Sequence, residues 1–138
     1  MAGIFPDAEW LQGLKDYLNS NETYAQTASK WEGDMVFEIK ADGPLTEDTY
    51  VHLDLWHGTC RDAKILTSLE GMDPAFTLTA PFSNFAKVVR GEMDPMQALM
   101  TRKLMVKGNL GYIMRNVPTV LEFVKCVKDV TEKVLGDK

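Results

Sequence analysis

Hydrophobic residues recur three and four positions apart in the first quarter of the chain, as they do on one face of an α-helix. A first helix is predicted by four such residues, Trp10, Leu11, Leu14 and Leu18. Asp7 precedes them and can cap the helix. A second helix is predicted by Tyr24, Ala25, Ala28 and Trp31, with Gly33 as its end. We expect both helices to form a lid packed on a sheet.

From residue 35 onward, apolar and polar residues alternate strictly instead. This alternation is typical of strands with one buried face. The apolar positions of the first two strands are Met35, Phe37 and Ile39, then Val51, Leu53 and Leu55. A third strand is predicted near residues 63–68, and a fourth directs Phe76 and Leu78 inward. We expect these four strands to follow one another as a meander. With a fifth strand at 104–107 they predict a mostly antiparallel sheet with one apolar and one solvated face.

The segment from Gly91 to Gly111 combines a helix, a strand and a turn in little space. Asp94 can cap free backbone N–H groups, and Pro95 suits the first helical position, whose N–H lacks a partner. Met96, Leu99 and Met100 then give the short helix an apolar stripe. Residues 103–107 alternate as a strand does, and residues 108–111 turn the chain. This arrangement predicts one wall of an apolar compartment.

The same segment resembles the sterol carrier protein type 2 family of small lipid-binding domains. The family hallmark is a Gly-x-x-Asx-Pro helix followed by a Lys-Leu-x-x-x-Gly-Asx strand and turn. The matching residues here are Gly91, Asp94, Pro95, Ala98, Lys103, Leu104, Gly108 and Asn109. Arg102 stands where the family usually has a glycine before the lysine. The resemblance extends from about Trp10 to the C-terminal helix.

This resemblance implies an α/β (α+β) domain whose helices cover one face of a five-stranded sheet and enclose an apolar tunnel. It implies a non-catalytic carrier of a sterol, fatty acid, fatty acyl-CoA or phospholipid, without a cofactor. Transient contact with a membrane would accompany such a role. The side chains expected to line the tunnel are Phe37, Leu53, Leu55, Phe76, Phe85, Met96, Met100, Leu104, Val106, Leu121 and Val124.

The last predicted helix, from about Val117, carries a wider apolar arc than one packing face requires. The arc comprises Val117, Val120, Leu121, Phe123, Val124, Cys126, Val127, Val130, Val134 and Leu135. Burial between two neighbouring elements would explain this arc. Alternatively, one flank contacts the sheet while the other lines the lipid tunnel. Another helix, predicted over residues 81–90, supplies further apolar cover from Phe82 to Val89.

Composition limits the function classes. The 138 residues predict one domain over residues 1–138, and a net charge of −5 disfavours a nucleic-acid partner. The first ten residues lack the basic and apolar regions of a signal peptide, so we expect a cytoplasmic protein. The two cysteines, Cys60 and Cys126, lie far apart without a second ligand at zinc spacing, which predicts buried thiols and no metal site.

Two alternatives to a carrier start from polar and aromatic residues of the second strand. His52 and Asp54 are expected on one face, where they could serve a small hydrolase or thioester-handling enzyme. No Gly-x-Ser-x-Gly elbow accompanies them, and a solvated outer sheet face explains both residues more simply. His57 is expected on the opposite face from His52, a poor arrangement for a metal pair. Trp56 could instead dock a partner in a protein-interaction module.

Overall fold

The computed structural model describes residues 3–137, and the sequence patterns account for most of its elements. The strands are β1 (Ile4–Phe5), β2 (Met35–Lys40), β3 (Thr49–Trp56), β4 (Thr59–Leu66), β5 (Phe76–Pro81), β6 (Met105–Lys107) and β7 (Lys133–Val134). The helices are α1 (Ala8–Ser20), α2 (Glu22–Thr27), α3 (Phe82–Val89), α4 (Pro95–Met100), α5 (Leu110–Arg115) and α6 (Val117–Val130). No helix among the described residues is long and apolar enough to cross a bilayer.

The N-terminal helices form largely where the spacing predicts them. The Asp7 carboxylate accepts the Trp10 N–H at 2.8 Å and so caps α1. The buried face of α1 carries the four predicted residues, and the helix packs against β4 and α6. Helix α2 ends at Thr27, before Trp31, which is shorter than predicted. The Trp31 indole N–H instead donates to the Gly33 carbonyl at 2.9 Å, within the turn that leads to β2.

Five strands form one sheet in the order β4-β3-β2-β5-β6. Three of its four pairings are antiparallel and the β2–β5 pairing is parallel, which confirms the predicted fold class. The expected four-strand meander is wrong at β5. Because β4 lies at the sheet edge and β5 pairs with β2, residues 67–75 must cross over β3 and β2. Alternation assigns a residue to a face, but it carries no information on which strands pair.

The face of the sheet that was expected to be solvated is buried at its centre. Val36, His52 and Thr77 occupy one row across β3, β2 and β5, and all three are buried. His52 Nε2 lies 2.8 Å from Asp34 Oδ2, and Asp34 Oδ1 accepts the Ala75 N–H at 2.9 Å. Asp34 therefore ties the end of the crossover to the sheet. The prediction of a solvated His52 is corrected, because its side chain is buried beside Asp34.

Asp34→Asn is expected to remove part of the acid sensitivity of folding. Burial alone raises the pKa of Asp34, but the Ala75 N–H and His52 outweigh it and lower that pKa below its usual value. The stabilisation by this carboxylate is therefore present above about pH 4 and is lost as the pH falls through the folded-state pKa. Urea unfolding measured from neutral to acidic pH should show that the free energy of unfolding falls less steeply in the variant. At neutral pH this free energy should be about 1–3 kcal/mol lower in the variant than in the unaltered protein.

Asp62→Asn provides the control for this prediction, because it removes an exposed ion pair with Lys64 on the same sheet. It should cost less than about 1 kcal/mol. Identical acid sensitivity in Asp34→Asn and the unaltered protein would show that Asp34 does not fasten the crossover.

The C-terminal helix ends earlier than its apolar arc predicts. Thr131 leaves the helical conformation at the end of α6, and its hydroxyl accepts the Trp10 indole N–H at 2.8 Å. Val134 lies in β7, which pairs in parallel with β1, and the Leu135 N–H donates to the Phe5 carbonyl. Val134 and Leu135 are thus corrected from helix residues to residues that anchor the chain end beside β1.

Candidate functional site

An apolar cavity of about 90 Å³ lies between the apolar face of the sheet and the helices. Nineteen residues line it: Phe5, Tyr24, Trp31, Met35, Phe37, Leu55, Leu78, Phe85, Val88, Val89, Pro95, Leu99, Leu104, Ile113, Thr119, Val120, Phe123, Val124 and Val127. None carries a charge. Of the two with hydroxyl groups, Thr119 donates its own to the Thr27 carbonyl at 3.1 Å. The cavity thus presents almost only hydrocarbon and aromatic surface to a ligand.

Helix periodicity explains how α6 both lines the cavity and packs against neighbouring helices. Five of its residues line the cavity: Thr119, and at i, i+3, i+4 and i+7 Val120, Phe123, Val124 and Val127. Cys126 and Val130 are buried on the adjoining side, and α6 packs there against α1 and α2. The wide apolar arc therefore combines one flank in the core with one flank on the cavity.

Aromatic rings form much of the cavity wall. The Phe37 ring lies 5.8 Å from that of Phe85 and 6.0 Å from that of Phe123, measured between centroids. Tyr24 lies 6.4 Å from Phe123. Burial raises the pKa of Tyr24, so its phenol stays neutral across the physiological range. These rings come from β2, α2, α3 and α6, so the cavity requires the complete tertiary fold.

The motif that carries the family resemblance forms one side of the cavity. Asp94 accepts the Gln97 N–H at 2.9 Å and caps α4, from which Pro95 and Leu99 reach the cavity. Arg102 adopts φ +62°, the left-handed conformation that favours glycine. The turn is therefore kept although arginine stands at this position. Gly108 has φ +132°, and a Cβ there would lie 2.5 Å from the Ala75 carbonyl oxygen, so only glycine fits.

Five of the eleven predicted lining residues border the cavity: Phe37, Leu55, Phe85, Leu104 and Val124. Contact of these side chains with a ligand stays a prediction. The other six lie outside the lining. Leu53 and Phe76 are buried elsewhere in the core, Met96 and Val106 are half-buried, and Met100 and Leu121 are 72% and 42% exposed.

The positions of these six side chains have distinct physical causes. Met100 and Leu121 each follow a lining residue by one position, and 100° of helix rotation moves them toward solvent. Leu53 shares a sheet face with Leu55, but α1 packs over the neighbouring strand β4 rather than leaving space there. Phe76 packs between Trp31 and Tyr112, with centroid distances of 5.3 Å and 5.8 Å.

Sequence reasoning missed fourteen of the lining residues. Strict i, i+3, i+4, i+7 spacing would have selected Val120, Phe123 and Val127 on the last helix in place of Leu121. On α4 this spacing does not decide, because Met96 and Met100 are four residues apart just as Pro95 and Leu99 are. No local pattern distinguishes Phe5, Tyr24 or Ile113, whose place at the cavity depends on how distant elements pack.

The cavity approaches the surface between α4 and α6, which pack against each other. Most lining residues are buried, but five are only half-buried: Leu78 on β5, Pro95 and Leu99 on α4, and Val120 and Val124 on α6. The four helical residues of this set define the mouth of the cavity. A ligand entering here would separate the two helices.

The residues of the enzyme alternative neither contact each other nor belong to the cavity lining. His52 contacts Asp34, whereas Asp54 accepts two hydrogen bonds from the Arg61 guanidinium, at 3.0 and 3.1 Å. His52 Nδ1 is buried and has no hydrogen-bond partner among the described residues. A base that activates a nucleophile needs that nucleophile within hydrogen-bond reach of its free nitrogen. The geometry therefore does not favour a catalytic pair.

The other side chains considered for chemistry or partner binding either contact neighbouring side chains or are buried. The His57 ring contacts Glu32 at 2.6 Å on the surface, and the Arg61 guanidinium covers the half-exposed Trp56 ring at 4.8 Å. Cys60 and Cys126 are free and buried, and burial raises the pKa of both thiols to about 11. Among residues 3–137, no group of three or more His, Cys, Asp or Glu side chains is placed to hold a metal ion.

The fold of this domain is similar to that of solved sterol carrier protein structures. Residues 14–120 match the model of the SCP-2 sterol transfer family, and the chain belongs to this family. A crystal structure of sterol carrier protein 2 is 30% identical, with a TM-score of 0.81, and the match covers 88% of this chain and 95% of that one. No curated protein sequence matches the chain.

Two further solved structures extend the likeness. A conserved hypothetical protein of Thermus thermophilus, described as possibly a sterol carrier protein, is 29% identical, with a TM-score of 0.83. The match covers 95% of this chain and 93% of that one. Sterol carrier protein 2 of Yarrowia lipolytica, in its apo form, is 21% identical over 91% of this chain and 94% of its own, with a TM-score of 0.59. At that identity it supports the fold alone. Membership of the family supports lipid binding or transfer as the general role.

Proposed function

We propose that residues 1–138 form a single domain that binds one lipid, a sterol or a fatty acyl chain, without covalent chemistry. The observation that supports this most is the uncharged cavity of nineteen residues beneath the helices. Burial of apolar surface contributes about 25 cal/mol per Å², so an expanded cavity with this lining would hold an acyl chain or sterol ring without any ion pair. The carboxylate or hydroxyl of the ligand would remain at the mouth between α4 and α6.

The cavity volume indicates that binding requires expansion. At about 90 Å³ it is smaller than the roughly 300–1,000 Å³ of typical ligand pockets. The α4 and α6 side of the cavity is the most suitable to move, because four of its lining residues are half-buried. Separation of these helices would open the mouth and enlarge the cavity in one motion.

A displacement titration tests the proposal. The purified protein is first delipidated, and the extracted material is identified by mass spectrometry. A dansyl-labelled fatty acid should then gain fluorescence on binding, because its chain moves from water to an apolar environment. Palmitate should displace it, whereas butyrate, with far less apolar area to bury, should not. Equal effects of both acids, or no lipid in the extract together with no fluorescence gain, would contradict the carrier function.

A further inference from the structure

The five-stranded sheet has a free edge at β6. This strand pairs antiparallel with β5, and no strand of the described chain lies beyond it. Within residues 3–137, the backbone groups of Met105, Val106 and Lys107 make no hydrogen bond outside the sheet. The other end strand, β4, is different, because α1 packs against it and the Asn19 side chain bonds the backbone N–H and carbonyl of Cys60. Backbone groups of β6 that point away from β5 are therefore open to a further strand.

The side chains of β6 divide between the two faces of the sheet. Val106 pairs with Leu78, which lines the cavity, as does Leu104. Met105 and Lys107 therefore lie on the opposite, outer face. Met105 is 51% exposed, and Lys107 is exposed as well. A strand added beside β6 would place its own outward side chains next to these two.

The part of the chain that contains β6 is basic. No Asp or Glu occurs between Asp94 and Glu122, and this interval contains four cations: Arg102, Lys103, Lys107 and Arg115. Within residues 3–137, none of these four forms an ion pair, whereas Lys40, Arg61, Lys64 and Arg90 elsewhere do. Glu38 lies on the same outer face of the sheet, but it pairs with Lys40 at 2.9 Å. The cations beside β6 are thus free to pair with acidic groups of another molecule.

The spacing of two lysines determines which kind of strand fits this edge. Lys103 and Lys107 stand two residues before and two residues after Met105, so in an extended chain the three side chains share one face. In an antiparallel pair of two copies centred on Met105, Lys103 of each copy would lie opposite Lys107 of the other. Like charges in directly opposite positions are destabilising. A strand with carboxylates at these two positions and an apolar residue between them meets an opposite charge at each end.

We infer that the free edge of β6 is a docking site for an extended acidic segment of a partner protein, which adds to the sheet as a sixth strand. The matching segment has the pattern acidic-x-apolar-x-acidic, with carboxylates opposite Lys103 and Lys107 and the apolar side chain opposite Met105. In this mode of recognition, backbone hydrogen bonds supply affinity and alternate side chains supply specificity. The inference is independent of the proposed function, because these three side chains lie outside the cavity lining.

Fluorescence anisotropy with two short peptides tests the site. The glutamate peptide is fluorescein-labelled Gly-Glu-Thr-Val-Thr-Glu-Gly, and the lysine peptide has Lys in place of both Glu residues. The unaltered protein should bind the glutamate peptide about tenfold more tightly than the lysine peptide, and added salt should reduce this difference. The double variant Lys103→Glu/Lys107→Glu should reverse the preference. The control Lys125→Glu/Lys128→Glu makes the same change of charge on α6 and should keep it.

Hydrogen exchange with and without the glutamate peptide separates strand addition from the attraction of charges alone. Backbone amides within residues 105–107 that point away from β5 should gain protection when the peptide binds. Circular dichroism shows that both variants fold, which is expected because all four substituted lysines are exposed. Equal binding of the two peptides by the unaltered protein would overturn the inference, as would the same preference in the test and control variants. Binding without added protection at residues 105–107 would also overturn it, since the peptide would then lie on the surface without pairing with β6.

Discussion

Leu99→Asp is expected to weaken fatty-acid binding from solution by at least about tenfold, whereas Met100→Asp should leave it nearly unchanged. Leu99 lines the cavity at its mouth and is half-buried, and no cation among the lining residues would pair with the new carboxylate. An unpaired charge disfavours an apolar chain beside it and adds repulsion toward the carboxylate of the ligand. A tenfold loss corresponds to about 1.4 kcal/mol.

Met100→Asp is a matched control because it introduces the same charge one residue further along α4. Met100 is 72% exposed, so its carboxylate would be solvated. The measurement is a titration with a dansyl-labelled fatty acid, with circular dichroism to show that both variants fold. Equal losses in the two variants would mean that charge near α4, rather than the lining of the cavity, governs binding.

Leu55→Ala and Leu53→Ala should destabilise the protein by similar amounts but differ in their response to ligand. Both leucines are buried on the same face of β3, two residues apart. Truncation of a buried leucine costs about 2–5 kcal/mol. Leu55 lines the cavity and Leu53 does not. Only Leu55→Ala would therefore enlarge the cavity in which we propose the ligand binds.

Urea unfolding with and without palmitate measures this difference. A ligand that binds only the folded state stabilises it in proportion to the logarithm of its concentration relative to Kd. The stabilisation by palmitate should match that of the unaltered protein in Leu53→Ala and should differ from it in Leu55→Ala. An altered ligand response in Leu53→Ala with an unaltered one in Leu55→Ala would place the ligand under α1 instead of under α4 and α6.

Local chemistry made much of the secondary structure predictable. The carboxylates of Asp7 and Asp94 cap helices where the capping pattern predicts, and strict alternation identified the apolar faces of β2 and β3. These features depend on neighbours within a few residues, so the sequence contains the necessary information. The family resemblance rested on the same kind of local signal, around α4 and β6.

The lining of the cavity was predictable only in part. Leu53 and Leu55 are indistinguishable by residue type and by strand face, and only the position of the helices above them makes one a lining residue. Leu121 and Val124 both belong to the apolar arc of the last helix, yet the first is exposed and the second reaches the cavity. A lining side chain differs from a core side chain by a gap between distant elements, and no local pattern encodes that gap.

By itself, the sequence determined most of the elements, the fold class and the family, because helix caps, periodicity and turn glycines act over a few residues. The tertiary structure alone decided the parallel pairing of β5 with β2, the burial of His52 beside Asp34, and the convergence of Phe5, Tyr24 and Ile113 on one cavity. These features depend on contacts between residues far apart in the chain, where strand pairing and helix packing select one arrangement among several with the same local pattern.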